Sequence, residues 1–325
     1  MTQAFTPPQP EYIPRLEVSP PDISSFRRGN TGIDYVTTFD SGRTGPHVMV
    51  NALTHGNEIC GAHALTFLID KRIRPTQGKL TLSFANVEAF LRFDSRRPFD
   101  SRYVDEDFNR LWSAEVLDGP RNSRELTRAR AMRGIVAQAD YLLDLHSMHL
   151  PCAPLMLCGT RDKGLALARR LAYPRHIVRD RGHDAGRRMR DFAAFDDPGL
   201  SQAALLIECG QHWAASSVEV ALQSTLRFLV VTGSVSADAL APYLVPGDLD
   251  QVEIEVSEPV TVSSPSFRFL QEYFGLEVIP KGGTLIAMDG PVEIRTPYDD
   301  CVLIMPARAF SQGLTAVRFG RIINR

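Results

Sequence analysis

Apolar positions along this chain fall into short runs that stop on polar, chemically active side chains. Val48 to Leu53 is one such run, closed by Thr54 and followed by the tight turn His55-Gly56-Asn57-Glu58. Ile59 to Lys71 then carries Ala62, Leu65, Leu68 and Ile69 at helical spacing, so a strand hands over to a helix across a histidine and a glutamate three residues apart. Further strands are predicted at Gly32 to Phe39, which alternates, and at Lys79 to Ala85, Tyr141 to Leu145 and Ala203 to Ile207. Helices are predicted over 125–139, 163–173 and 216–232, with a further short one over 187–195. Strands alternating with helices place this part of the chain in the α/β class.

The pattern changes near Asp238. Beyond it, short runs such as Val252 to Val256 and Val302 to Met305 alternate with Pro and Gly turns, which predicts a small all-β unit and a boundary near 235–245. At the other end, Pro7, Pro8, Pro10, Pro14, Pro20 and Pro21 keep residues 1–28 out of helix, as an extended arm. The expected organisation is therefore an arm (1–28), an α/β unit (29–237) and a β-rich unit (238–325).

Composition narrows the function classes. Of 325 residues, 44% are hydrophobic and 23% charged, ordinary values for a globular protein. A net charge of −2 gives no footing for nucleic acid or an anionic membrane as partner. No apolar run approaches the roughly 20 residues that span a bilayer. The N-terminal residues lack a basic-then-apolar pattern, so no signal peptide is expected. Five cysteines without a Cys-x-x-Cys pair fit a reduced, cytoplasmic setting.

Three apolar strands end in a residue able to bind a metal or move a proton: His55 with Glu58, then His146, then Glu208. In open α/β sheets ligands collect at the carboxyl ends of strands, which are close in space though distant in sequence. His55, Glu58 and His146 make a His2Glu set, the kind that holds a catalytic zinc with one position open. Glu208 is then free to act as the base. Asp144, two residues before His146 and on the same strand face, is either a hydrogen-bond partner for a ligand histidine or a buried structural carboxylate. His47, His63, His149, His176, His183 and His212 lack such placement and are read as structural or surface groups. His149 and His212 follow the active strands closely enough to line a pocket.

A polar segment over 92–124, too long for a casual connection, carries seven arginines and the run Asp107-Phe108-Asn109-Arg110-Leu111-Trp112. Arg110 offers a planar fork of donors suited to a carboxylate, Asn109 adds an amide, and Arg102 could stabilise an oxyanion beside a metal.

In these residues the chain resembles the succinylglutamate desuccinylase/aspartoacylase family, related to the zinc carboxypeptidases. The matching pieces are Thr54-His55-Gly56-Asn57-Glu58, Asn86-Val87-Glu88-Ala89, Ser101-Arg102-Tyr103, Asp107-Phe108-Asn109-Arg110, Asp144-Leu145-His146-Ser147 and Ile207-Glu208-Cys209-Gly210, in family order. The resemblance implies a carboxypeptidase-like three-layer α/β/α fold with a mixed, mostly parallel sheet. It also implies one zinc per chain on His55, Glu58 and His146, Glu208 as general base, Arg102 at the oxyanion, and Asn109 with Arg110 on a substrate carboxylate.

Two departures matter. Cys209 stands where the family often has Val. The arginine that aspartoacylase-like members carry about ten residues before the base is absent, since that region reads Phe195-Asp196-Asp197-Pro198-Gly199; Arg187, Arg188 and Arg190 are out of register. The C-terminal stretch from Val278 to Asp300 resembles a biotinyl/lipoyl-type β-barrel, but Asp289 occupies the place of the modified lysine, so a packing unit that shapes the pocket is expected. The expected function is zinc-dependent hydrolysis of the amide bond of a small N-acyl amino acid or related compound. The alternatives are a peptide-cleaving zinc carboxypeptidase and a non-catalytic binding protein. The expected partner is a small acylated substrate, with no nucleic acid and no membrane; a homo-oligomer stays open.

Overall fold

A computed structural model describes residues 15–182, 185–246, 250–308 and 310–324. Residues 1–14 of the predicted arm, and His183, lie outside the described residues. Within the α/β part the strands are β1 (Val36–Asp40), β2 (His47–Ala52), β3 (Lys79–Phe84), β4 (Tyr141–Met148), β5 (Leu155–Leu157), β6 (His176–Arg179) and β7 (Ala203–Gln211). The helices are α1 (Cys60–Asp70), α2 (Val87–Phe90), α3 (Ala114–Asp118), α4 (Arg124–Ala137), α5 (Asp162–Leu171), α6 (Ala215–Val231) and α7 (Ala237–Leu240). After them come β8 (Val252–Thr261), β9 (Phe267–Phe269), β10 (Val278–Ile279), β11 (Leu285–Asp289), β12 (Val292–Arg295), β13 (Cys301–Ile304) and β14 (Thr315–Asn324).

Among the described residues one large sheet runs in the order β1-β3-β2-β4-β7-β5-β6-β8-β14-β13-β10, and a second runs β12-β11-β9. The centre of the large sheet, β3-β2-β4-β7, is parallel. The short β5 is antiparallel to β7, and the C-terminal strands join through β8, which runs parallel to β6.

Side chains on the central strands divide by the two-residue period. Val48, Val50 and Ala52 of β2, with Leu143 and Leu145 of β4, pack on a core shared with α1, α5 and α6. Met49, Leu142 and Ala204 face the other way, onto Leu126, Ala129, Met132 and Val136 of α4 and onto Trp112. Covering on both faces is why β4 and β7 read as continuous apolar runs. This is a three-layer α/β/α arrangement. The antiparallel C-terminal strands enclose a smaller core of their own around Ile286, Leu303 and Val317.

Several boundaries differ from the sequence reading. Strands β4 and β7 do not stop at His146 and Glu208 but run on to Met148 and Gln211, because the ladder continues through a register irregularity that joins Met148 to Gln211. Gly210, at φ +116°, takes the backbone conformation that this irregularity requires. The helix predicted over 187–195 is two 3₁₀ turns, Met189–Asp191 and Ala193–Phe195, since Arg188 and Arg190 turn inward to buried partners instead of facing solvent. The strand predicted from Gly32 begins only at Val36, after Tyr35 at φ +61°. Strands β5 and β6 were not expected; at three and four residues they are too short to show a period.

Candidate metal centre and pocket

His55, Glu58 and His146 come together at the carboxyl ends of β2 and β4, on the sheet face that α4 covers. One ligand atom from each lies within 4.8 Å of the others, and all three residues are buried. His55 Nδ1 is 2.7 Å from Glu58 Oε1, and His146 Nδ1 is 2.8 Å from Glu58 Oε2. The far nitrogen of each ring meets a carboxylate: His55 Nε2 lies 2.9 Å from Asp107 Oδ1, and His146 Nε2 lies 2.9 Å from Asp144 Oδ2. Asp144 is fixed in turn by the Asn51 amide and the Thr54 hydroxyl, each donating to it at 2.8 Å.

These contacts test whether the group suits a metal. His55 Nε2 lies 2.9 Å from both Asp107 Oδ1 and the donor Arg102 Nη2, and when His146 Nε2–H donates to Asp144, the His146 Nδ1 lone pair points at Glu58 Oε2. Lone pair against lone pair at such distances repels, so the arrangement calls for a proton or a cation between them. Burial opposes charge on His146, but Asp144 and Glu58 hold it well above its usual range. Burial also opposes charge on Glu58, yet His55 and His146 pull it well below the usual carboxylate range. The donor set and its outer carboxylates fit a small divalent cation such as zinc.

Glu208 faces the group from β7, in direct register with His146 on β4. Burial and the nearby Glu58 charge outweigh the attraction of His146 and push the Glu208 carboxyl up to about 8. Its Oε2 is buried and has no hydrogen-bond partner among the described residues. Arg102 closes another side, donating to Glu58 Oε1 and to Asp107 Oδ2, each at 3.3 Å.

The loop carrying Arg102, Asp107, Asn109 and Arg110 is anchored from beneath by Glu125 of α4. This fully buried carboxylate accepts from the amides of Val104 (2.7 Å), Asp105 (3.0 Å) and Glu106 (3.3 Å), and from Asn86 Nδ2 (3.0 Å). The loop also presses against Gly56, where a Cβ would sit 2.4 Å from both Phe90 N and Ser101 O. A glycine is needed there for the His55 turn and the Arg102 loop to meet.

Asp107 caps the turn at Asn109, accepting its amide at 2.8 Å. Asn109 accepts the Met189 amide on Oδ1 at 2.9 Å, which leaves its NH2 end available to a ligand, and Arg110 Nη1 donates to the Asn109 carbonyl at 2.8 Å.

Every predicted site residue lines one cavity of about 280 Å³: His55, Glu58, His146, Glu208, Arg102, Asn109 and Arg110. Sequence reasoning missed the opposing wall. Arg188, placed out of register in the sequence, lines the cavity with a buried guanidinium bonded to both oxygens of Asp180 (2.8 and 2.9 Å) and to Asp191 (2.7 Å). Arg318 of β14 joins it, with Met305 and Phe274 from neighbouring C-terminal segments. Their sequence positions carry no signal of this, because each arrives from a different segment of the chain. His149 and His212 also line the cavity, beside Phe99. Burial keeps both rings neutral at ordinary pH, pushing His149 down to about 4 and His212 well below its usual range, and His212 Nδ1 lies 2.8 Å from Ser147 Oγ.

The family model described as the succinylglutamate desuccinylase/aspartoacylase catalytic domain matches residues 44–225. A probable aspartoacylase from Parasynechococcus marenigrum (strain WH8102) is 34% identical over 132 residues, 38% of this chain and 41% of that protein, so the match spans less than half the length of that relative. Among solved structures, a succinylglutamate desuccinylase from Vibrio cholerae superposes with a TM-score of 0.70 at 16% identity, covering 89% of this chain and 86% of that one. A succinylglutamate desuccinylase/aspartoacylase from Rhodobacter sphaeroides gives a TM-score of 0.66 at 18% identity, covering 89% of each chain. At such identities the likeness is one of fold. No helix among the described residues is long and apolar enough to cross a membrane.

Proposed function

The chain belongs to the succinylglutamate desuccinylase/aspartoacylase family, and from that premise we propose that it is a zinc-dependent hydrolase cleaving the amide bond of a small N-acyl amino acid or related compound. The observation that carries this reading is the convergence of two imidazoles and a carboxylate, each imidazole backed by its own carboxylate, beside a buried Glu208. His55, Glu58 and His146 would hold the zinc. When bound, zinc supplies Lewis acidity toward water and toward a carbonyl oxygen.

Glu208 takes a proton from the attacking water as the new C–O bond forms, and returns it to the nitrogen as the C–N bond breaks. Burial raises this carboxyl, and the charge of a bound cation would favour its ionised form, so it can both take the proton and return it. Arg102 donates to the oxyanion as charge develops on the former carbonyl oxygen. Asn109, through its NH2 group, and Arg110, through its guanidinium fork, hold the substrate carboxylate and so fix the amide in line with Glu208. Asp107 and Asp144 keep the two imidazoles in one tautomer and one orientation.

The size of the cavity favours a small substrate: about 280 Å³ lies just below the roughly 300–1,000 Å³ range of small-molecule pockets. Residues 29–237 are then the catalytic unit, and 238–325 a unit that narrows its mouth. Five free, buried cysteines suit a reducing, cytoplasmic setting.

The deciding experiment is elemental analysis of protein purified without chelator, beside His146→Ala, followed by a panel of N-acyl amino acids and short peptides. About one zinc per chain, lost in the variant, with turnover of acyl amino acids, is the expected result. A wild-type protein that takes up no metal when zinc is offered would overturn the reading.

A further inference from the structure

One position in the run from Val48 to Leu53 is not apolar. Asn51 lies there, fully buried. A buried amide is costly unless its hydrogen bonds are made, and Asn51 makes them along one row of the sheet. It is in register with Ser83 on β3 and with Asp144 on β4, so three polar side chains stand abreast on three neighbouring parallel strands. All three are fully buried, and the row continues into Val36 on one side and Leu206 on the other.

The direction of each hydrogen bond follows from what each group can donate. Asn51 Nδ2 lies 2.8 Å from Asp144 Oδ1 and 2.9 Å from Thr54 Oγ1, and Asn51 Oδ1 lies 2.5 Å from Ser83 Oγ. Turned over, the amide would set its oxygen against the Asp144 carboxylate, which repels; the NH2 end therefore faces Asp144. Ser83 then donates to the Asn51 oxygen and holds the amide in that sense. Thr54 Oγ1 receives one Asn51 hydrogen and passes its own to Asp144 Oδ1 at 2.8 Å. Asp144 Oδ1 thus accepts twice, and Oδ2 faces His146 Nε2 at 2.9 Å. With Nε2–H bonded there, the ring presents Nδ1 to the Glu58 side, 2.8 Å from Oε2.

The two imidazoles are therefore backed differently. Asp107, behind His55, sits on a loop, is partly exposed and also accepts from Arg102. Asp144, behind His146, is gripped inside the sheet by side chains from β2 and from the turn that follows it.

We propose that Asn51 is a positioning residue of the proposed metal centre, acting through Asp144 to fix the orientation and tautomer of His146, with Ser83 setting the sense of its amide. The inference rests on the reading of His146 as a metal ligand, so its test has an arm that needs no metal.

The first arm measures zinc affinity of the full chain by chelator competition. Asn51→Leu keeps a branched side chain without hydrogen bonds and should bind zinc about 3- to 10-fold more weakly, less than the roughly 10–100-fold lost with a direct partner of a ligand. Ser83→Ala releases the amide and should weaken binding by a smaller factor. Asn51→Leu made in an Asp144→Asn background decides the route: a residue acting through Asp144 should then change affinity by less than about twofold. The same fold-change in both backgrounds overturns the proposal, as does wild-type affinity in a folded Asn51→Leu.

The second arm records ring-nitrogen NMR signals of histidine-labelled, metal-free protein, with His146 and His212 assigned by their loss in His146→Gln and His212→Gln. The His146 signals should move in Asn51→Leu and Ser83→Ala while those of His212 stay in place. Unmoved His146 signals in both variants overturn the proposal, and so does an equal shift of His212, which marks a general disturbance. A wild type that takes up no zinc counts against the hydrolase reading, and the NMR arm then decides the role of Asn51 alone. Should Asn51→Leu fail to fold, Ser83→Ala carries both arms, and its identity with wild type in both overturns the proposal.

Discussion

His146 and Glu208 are register partners on the neighbouring parallel strands β4 and β7. Parallel strands lie about 4.8 Å apart, so this pairing holds an imidazole of the metal group and the carboxyl proposed as base at a near-fixed separation. Neither depends on a mobile loop for its position. The backbone ladder therefore aligns the two chemical roles.

Replacing that carboxyl separates the roles. Glu208→Gln keeps size and burial but cannot accept a proton, so turnover should fall by about 10²–10⁴-fold, the usual scale of general acid–base catalysis. Zinc content should be unchanged by elemental analysis. Near-normal turnover in the variant would mean that the base lies elsewhere.

The same residue makes the metal-free protein sensitive to pH. The Glu208 carboxyl is raised from 4.5 to about 8 in the folded state, so the folded chain keeps this proton where the unfolded chain has lost it. Stability from this group is full below about 4.5 and declines as pH rises to about 8. Metal-free Glu208→Gln should match the wild type near pH 4.5 and melt at higher temperature than it at pH 8. Calorimetry of the two proteins across that window reads the difference.

Asp180 has the opposite sign. Burial alone would raise it, but the Arg188 guanidinium holds it down at about 2 against an ordinary 3.8. Its contribution is present above about 3.8 and disappears as pH falls through about 2. Asp180→Asn at neutral pH leaves Arg188 with Asp191 alone and should cost about 3 kcal/mol, the scale for breaking a buried pair. Denaturant unfolding at pH 7 checks the size; equal stability of variant and wild type would show that Asp191 compensates fully.

Glu125 touches no part of the cavity, yet it should matter for activity. Glu125→Ala removes the acceptor for three consecutive loop amides and should displace Arg102 and Arg110 together. We expect kcat/KM to fall by about tenfold or more while zinc stays bound, because misplacing positioning groups by even about 1 Å is costly. Loss of zinc in this variant would instead point to general unfolding.

Asp107 and Asp144 act through the imidazoles they touch. Asp107→Asn and Asp144→Asn should each weaken zinc affinity by about 10–100-fold, measured by chelator competition. A variant with unaltered affinity would show that its histidine is held by other contacts.

Read as a sequence, the chain already disclosed the α/β class, the family, and the run of residues that meet at the site. Those features are local. A buried strand is a run of apolar side chains, and a strand-end histidine followed by a glutamate is visible within four positions. Strand ends were less legible: β4 and β7 outlast their apolar runs, since backbone hydrogen bonds continue past His146 and Glu208 whatever the side chains are. The two turns at 189–195 were misread as helix because Arg188 and Arg190 look like a polar face until their buried partners are known.

Only the tertiary structure decided which charges face one another. Asp107 meets His55 across 52 positions, and Arg318 shares the cavity with Asp180 and Arg188 although it lies more than a hundred positions beyond them. Periodicity reports whether a side chain is buried; it carries no information about the partner it is buried against. That choice is made by strand order, which lays β14 in the same sheet as β7 and brings an arginine from the last strand to the same cavity as the proposed base.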